Sequence, residues 1–201
     1  MGAHTPIQYN TLDLDYVGVK FPQFSYNRLK GADPVAHVEM ASTGEVACLG
    51  EDLQDAFYRA WQASDQIVRR KRIFISIGGD KKSKLLEAIR ILAHLGWEIF
   101  TTQGTHAYLA EKGIHTTPVF KVSDKKQPDT SALITAQRVD LIINIPSGNV
   151  VHSQPHVHNE ATDGFCIRRL AIDHHIPLIT NLQVAELALR CLSELYDKQP
   201  K

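Results

Sequence analysis

The sequence predicts an α/β protein: a doubly wound five-stranded parallel sheet, preceded by a small α+β segment. Three observations predict it. From about residue 71, short and nearly continuous apolar runs alternate with helix-like segments, the pattern of parallel strands covered on both faces. Two of the helical segments close on glycine, at Gly96 and Gly113, a common C-terminal signal. The first seventy residues lack this alternation and are interrupted by Pro22, Gly31 and Pro34.

The chain is therefore divided into residues 1–70 and 71–201. In the first part, "VGVKFPQFSYNRLKGADP" carries broken strand-like stretches, and "VEMASTGEVACLG" reads as strand, turn and strand around Gly44. "EDLQDAFYRAWQAS" reads as a helix with Leu53, Phe57, Ala60 and Trp61 along one apolar stripe. A lone hairpin and helix bury little core, so this part is expected to lean on something else. In the second part "IFISIGG" is the first strand and "KSKLLEAIRILAHLG" an amphipathic helix. "WEIFTT" is the second strand, "HAYLAEKG" its helix, "TPVFKV" the third strand and "SALITAQ" a short helix. "DLIINIP" is the fourth strand; a long polar loop and the helix "FCIRRLAIDHH" lead to the fifth, "IPLITN", and "QVAELALRCLSEL" closes the chain.

Composition narrows the function. The chain has 201 residues, 43% hydrophobic and 22% charged, with 22 basic residues against 22 acidic, so no net field steers it toward nucleic acid or membrane. Cys48, Cys166 and Cys191 are far apart and include no C-x-x-C pair, which excludes a zinc knuckle or disulfide framework and fits a reducing compartment. The N-terminus has no apolar signal core and no run approaches about 18 apolar residues, so a cytoplasmic protein is expected. His152, His156 and His158 crowd one loop, but without a helix to fix ligand geometry they are not read as a metal site. No metal or cofactor is expected. No P-loop, nucleophile elbow or complete dinucleotide fingerprint occurs.

Right-handed crossovers place every strand-to-helix loop on one edge of a parallel sheet, and ligands bind there. Reading only those positions collects Gly78, Gly79, Asp80 and Lys81 after the first strand, and Thr102, Gly104 and Thr105 after the second. Lys121 ends the third strand, Asn144 and Ser147 the fourth, and Asn181 the fifth. With Asp80 the sole carboxylate, this is the chemistry of an anion cradle: helix N-termini, hydroxyls and two lysines. Gly104 allows close backbone approach. Taken singly, Thr105 reads equally as a helix N-cap; the lysines are what capping leaves unexplained. Arg168 and Arg169 lie within a helix, from which one of them can reach the ligand edge, although solvent exposure is the commoner fate.

The strings "VKFPQFSYNRLKGADP" and "VEMASTGEVACLG" resemble the end of the second ATP-grasp half of the carbamoyl-phosphate synthase large subunit. "SIGGDKKSK", "IFTTQGT", "DLIINIPSG", "CIRR" and "PLITN" resemble the methylglyoxal-synthase-like regulatory domain that follows it, so that the likeness runs from about Tyr16 to Leu195. The resemblance implies an allosteric domain without catalytic residues. In bacterial relatives a nucleotide phosphate sits on the residues matching Lys81, Thr102, Thr105, Lys121, Asn144 and Ser147. The vertebrate ammonia-type enzyme binds N-acetylglutamate and has a tryptophan at the position of Lys121. Both lysines are present here, which favours a phosphate-bearing effector such as UMP or IMP. The implied partners are the remainder of the synthase large subunit and, through it, the glutaminase subunit; a homo-oligomer is compatible with the likeness. The alternatives are an N-acetylglutamate-binding regulatory domain and a methylglyoxal synthase-type lyase acting on dihydroxyacetone phosphate. The lyase's loop aspartates are replaced by Gln127 and Pro146, with Asp129 two residues out of register, so no base is in place.

Overall fold

The computed structural model describes residues 15–23, 44–64, 66, 68–146 and 162–197. Gly31, Pro34, the 38–42 half of the expected hairpin, Ser147 and the His152–His158 loop lie outside the described residues.

Two strands, β1 (Val17–Gln23) and β2 (Gly44–Gly50), pair antiparallel along their full length. The expected turn at Gly44 is corrected: Gly44 begins β2, and its partner is Gln23 rather than a neighbouring residue. Both strands alternate half-buried with exposed positions, and their inner face is covered by α1 (Leu53–Ala63). Asp52 caps that helix by accepting from the Asp55 N–H at 2.8 Å. Phe57, Ala60 and Trp61 are buried as expected, but Leu53 is 52% exposed, so the stripe begins one turn later. At the strand-to-helix corner the α1 backbone lies directly on Gly50: a Cβ there would stand 2.7 Å from Ala56 Cα. Because backbone cannot rotate away, Gly50→Ala is expected to cost about 1–3 kcal/mol of stability, read as a lowered midpoint in urea with an unchanged slope.

The main sheet contains β3 (Arg72–Ile77), β4 (Glu98–Thr102), β5 (Thr117–Val119), β6 (Leu141–Ile145) and β7 (Leu178–Ile179). All neighbours are parallel and the spatial order is β5-β4-β3-β6-β7. The helices are α2 (Lys82–His94), α3 (Gln103–Glu111), α4 (Thr130–Thr135), α5 (Asp163–Asp173) and α6 (Leu182–Asp197). The two outer strands are shorter than the apolar runs suggested, as an edge strand has pairing on one side only.

Alternation along each strand sorts its side chains onto the two faces. Ile73, Ile75, Ile77, Leu141, Ile143 and Ile145 share one core with residues of α2, α3 and α6. Phe74, Phe100 and Ile142 share the other with residues of α4 and α5. Phe57 and Trp61 belong to the first of these cores, so the described part of the 1–70 segment leans on the α6 face of the sheet. There the Cys191 thiol donates to the Gln54 carbonyl at 3.6 Å; burial first, then the charges of Glu194 and Asp52, push it up to about 12. At the bottom of the sheet Arg72 pairs with Asp140 at 2.6 Å, joining the starts of β3 and β6.

Candidate functional site

Helices leave β3 and β6 toward opposite faces, so the crevice of this sheet lies between the carboxyl ends of those two strands, where the winding reverses. Lys81 spans it. The residue stands at the end of a 3-10 turn (Gly79–Lys81) that follows β3, and its ammonium donates to the Pro146 carbonyl, just past β6, at 3.0 Å. That bond uses one of three N–H donors.

Below Lys81, one polar side chain from each of three adjacent strands faces the α5 side. Ser76 of β3 is in register with Asn144 of β6, and Thr102 Oγ1 of β4 lies 3.4 Å from Ser76 Oγ. Strand spacing makes this row roughly 10 Å long. Thr102 and Asn144 are buried, 5% and 4% exposed. Thr102 Oγ1 is also 3.3 Å from Thr105 Oγ1. Thr105 accepts from the Ile77 N–H at 3.2 Å, which leaves its own hydroxyl proton to be donated.

The start of α3 differs from a capped helix. Thr102 occupies the N-cap position without a side-chain cap bond, and Thr105 is in the first turn, so the N-cap reading of Thr105 does not hold. First-turn amides have no intrahelical acceptor, and among the described residues none of the Gln103, Gly104 and Thr105 N–H groups finds another. A Cβ added at Gly104 would meet nothing within 4 Å. The fold itself therefore does not need glycine there, although glycine costs a helix up to about 1 kcal/mol against alanine. Gly104→Ala is expected to raise stability by a few tenths of a kcal/mol up to about 1, and a thermal melt checks the sign.

The outer strands carry their candidates further away. Lys121 is exposed and precedes a 3-10 turn (Val122–Asp124) beyond β5; the strand ends at Val119, two residues earlier than expected. Asn181 follows β7 on the opposite edge. Four strand spacings, roughly 19 Å, separate the β5 and β7 lines, too far for Lys121 and Asn181 to share one phosphate. Asn181 Oδ1 accepts from the Gln183 and Val184 N–H groups at 2.9 and 3.1 Å, capping α6. It also borders a separate cavity of about 800 Å³, walled by Phe21, Phe57, Trp61, Leu178 and Arg190.

The carboxylates near the strand ends stand apart from the row. Asp80 is exposed on its turn. Asp129 caps α4 through the Ala132 N–H at 2.8 Å and accepts from Gln127 Nε2 at 2.8 Å. Among the described residues no group of three or more His, Cys, Asp and Glu is placed to hold a metal ion, and no helix is long and apolar enough to cross a membrane.

The strand-end reading missed Ser76 in the row and did not decide which of Arg168 and Arg169 reaches it. Ser76 is hidden inside an apolar run. Arg168 is only 4% exposed, and its guanidinium donates to Asn144 Oδ1 at 2.8 Å. Room for it comes from Gly164 one turn earlier, where a Cβ would lie 3.0 Å from Arg168 Nη1. That glycine at i−4 was the available signal. Arg169 instead runs along the helix to Asp173, at 2.6 Å; this pairing holds the Asp173 carboxyl below the usual range.

Comparison with known proteins adds a family. The model of the MGS-like domain matches residues 84–180. Over 96% of its length the chain is 40% identical to the multifunctional protein ura1 of Schizosaccharomyces pombe. It is 38% identical over 94% of its length to the multifunctional protein URA2 of Saccharomyces cerevisiae. A further 38% identity, over 92% of the chain, relates it to the mitochondrial carbamoyl-phosphate synthase [ammonia] of Homo sapiens. The chain spans 9%, 9% and 12% of the length of these three relatives.

Proposed function

Residues 84–180 form an MGS-like domain in a chain related over most of its length to carbamoyl-phosphate synthase and to large multifunctional proteins, and from that premise we propose that the chain is a regulatory module of a carbamoyl-phosphate synthase large subunit. It binds a phosphate-bearing effector such as UMP or IMP and adjusts the supply of carbamoyl phosphate for pyrimidine and arginine synthesis. Its partners are the rest of the synthase chain and, through that, a glutaminase subunit. The proposed division places residues 71–201 as the effector-binding domain and residues 1–70 as the part that meets the synthase.

One observation carries the reading. The three amides at the start of α3, unmatched among the described residues, stand beside the Thr102 and Thr105 hydroxyls, over a position left open by Gly104. A helix N-terminus of this kind favours an anion. Lys81 supplies charge over the β3–β6 crevice, where its ammonium rests on the Pro146 carbonyl, and Lys121 supplies a second cation from the β5 side. Two ammonium groups match a phosphate dianion better than a single carboxylate. An effector shifts a synthase only if it binds one of that enzyme's states better than another, so the module acts through differential binding.

The lyase reading needs a carboxylate base over the same crevice. Asp129 is the nearest by sequence, and its oxygens are engaged by the α4 amide and Gln127, which supports a non-catalytic site. Titration calorimetry with UMP, IMP and N-acetylglutamate tests the proposal. Binding of a nucleotide, with N-acetylglutamate weak or silent, is the expected result. Turnover of dihydroxyacetone phosphate, or heat from N-acetylglutamate alone, overturns it.

A further inference from the structure

We propose that Ser123 and Asp163 are positioning residues for the anion site, forming a clasp that decides where the Lys121 ammonium is held; this rests on the phosphate-binding reading above. The loop between β5 and α4 is closed at its base by backbone bonds, from the Phe120 N–H to Pro128 at 3.0 Å and from the Thr130 N–H to Phe120 at 2.9 Å. Inside it Lys121 is locked to the 3-10 turn, its N–H donating to Asp124 Oδ2 at 3.0 Å and its carbonyl accepting from the Asp124 N–H at 3.1 Å. Lys121 and Ser123 thus move as one piece.

All residues from Lys121 to Pro128 are exposed, so burial does little to hold the loop, and loops of this kind open at low free-energy cost. Among the described residues, the only hydrogen bonds from residues 121–126 to another element run from Ser123 to Asp163. The Ser123 N–H donates to Oδ1 at 3.0 Å and its hydroxyl to Oδ2 at 2.7 Å. Two donors on one residue, met by both oxygens of one carboxylate, fix orientation as well as distance. Asp163 opens α5, where a negative charge is favoured, and the same helix carries Arg168 to Asn144. The clasp therefore sets the separation between the edge-strand lysine and the polar row. Without it the lysine samples many positions, and binding must bear the cost of ordering it.

Charge and positioning predict opposite signs. Removing the Asp163 carboxylate near an anion site strengthens anion binding by charge alone. Loss of a clasp weakens it. The experiment uses the whole chain and UMP, with inorganic phosphate as a second probe, measured by calorimetry, together with hydrogen exchange of the 121–125 amides. Asp163→Ala and the charge-neutral Ser123→Ala are each expected to weaken UMP binding about 3- to 10-fold and to reduce amide protection in the absence of ligand. Ser123→Thr, which keeps both donors, stays within about 2-fold of the parent. Lys121→Ala costs about 10-fold or more in the parent and no more than about 2-fold on top of Asp163→Ala.

If Asp163→Ala loosens the loop while UMP affinity and the Lys121→Ala effect persist, the clasp is structural only and the proposal fails, with the phosphate reading intact. An unchanged exchange pattern overturns it as well. If the parent binds neither UMP nor phosphate, both fall together.

Discussion

Replacing Trp61 by alanine is expected to destabilise the entire chain by about 3–5 kcal/mol, in one cooperative transition. Trp61 is 3% exposed and lies in the same apolar core as Ile73, Ile75 and Leu189. Its ring packs against Phe57 with centroids 5.7 Å apart, and Phe57 in turn meets Phe21 of β1 at 5.9 Å. The hairpin and α1 are thus fastened to the sheet through this aromatic stack. If the 1–70 segment were energetically separate, urea unfolding followed by circular dichroism would show the α/β portion melting at its original midpoint. A single lowered midpoint is the expected outcome. Trp61→Phe should cost far less, because the indole N–H is buried without a partner among the described residues and its removal relieves an unmet donor.

Lys81→Ala carries the largest expected effect on binding. A charge-assisted contact to phosphate is worth about 1.5–3 kcal/mol, so UMP affinity should fall by roughly 10- to 100-fold in calorimetry. Folding stability should hardly change, since the side chain is partly exposed and its described bond is a single one to the Pro146 carbonyl. The salt dependence should also flatten, because a screened attraction has been removed. Equal affinity in the variant would remove Lys81 from the site and leave the crevice without its proposed charge.

The parallel strands were legible because the central ones are buried on both faces, which writes them as nearly continuous apolar runs such as "IFISI" and "LIINI". The small sheet was not. Hairpin reasoning looks for a partner within a few residues, whereas Gly44 pairs with Gln23, much earlier in the chain, and both strands pack on α1. Leu53 misled for a related reason, since a helical stripe gives no warning of where its covering layer ends. Lys81, Thr102, Thr105 and Asn144 could be collected as neighbours because strand ends are readable in chain order. Sheet order is not readable in that way, so Asn181 was grouped with residues up to four strand lines away. Ser76 was concealed by its apolar neighbours. Arg168 required knowing that Gly164 and Asn144 would meet it in space. A buried guanidinium is a tertiary fact, and only the glycine one turn earlier hints at it.

Thr105 has a second attachment that matters beyond its hydroxyl. It holds the amide of Ile77, whose side chain is planted among the same apolar residues as Trp61. The crevice and the aromatic stack occupy opposite sides of the sheet, yet a single peptide unit belongs to both. A ligand that tugged on Thr105 would strain that peptide and, through it, the footing of the hairpin. The sheet would then behave as a diaphragm, passing a small displacement from one surface to the other without any chain having to travel around its rim.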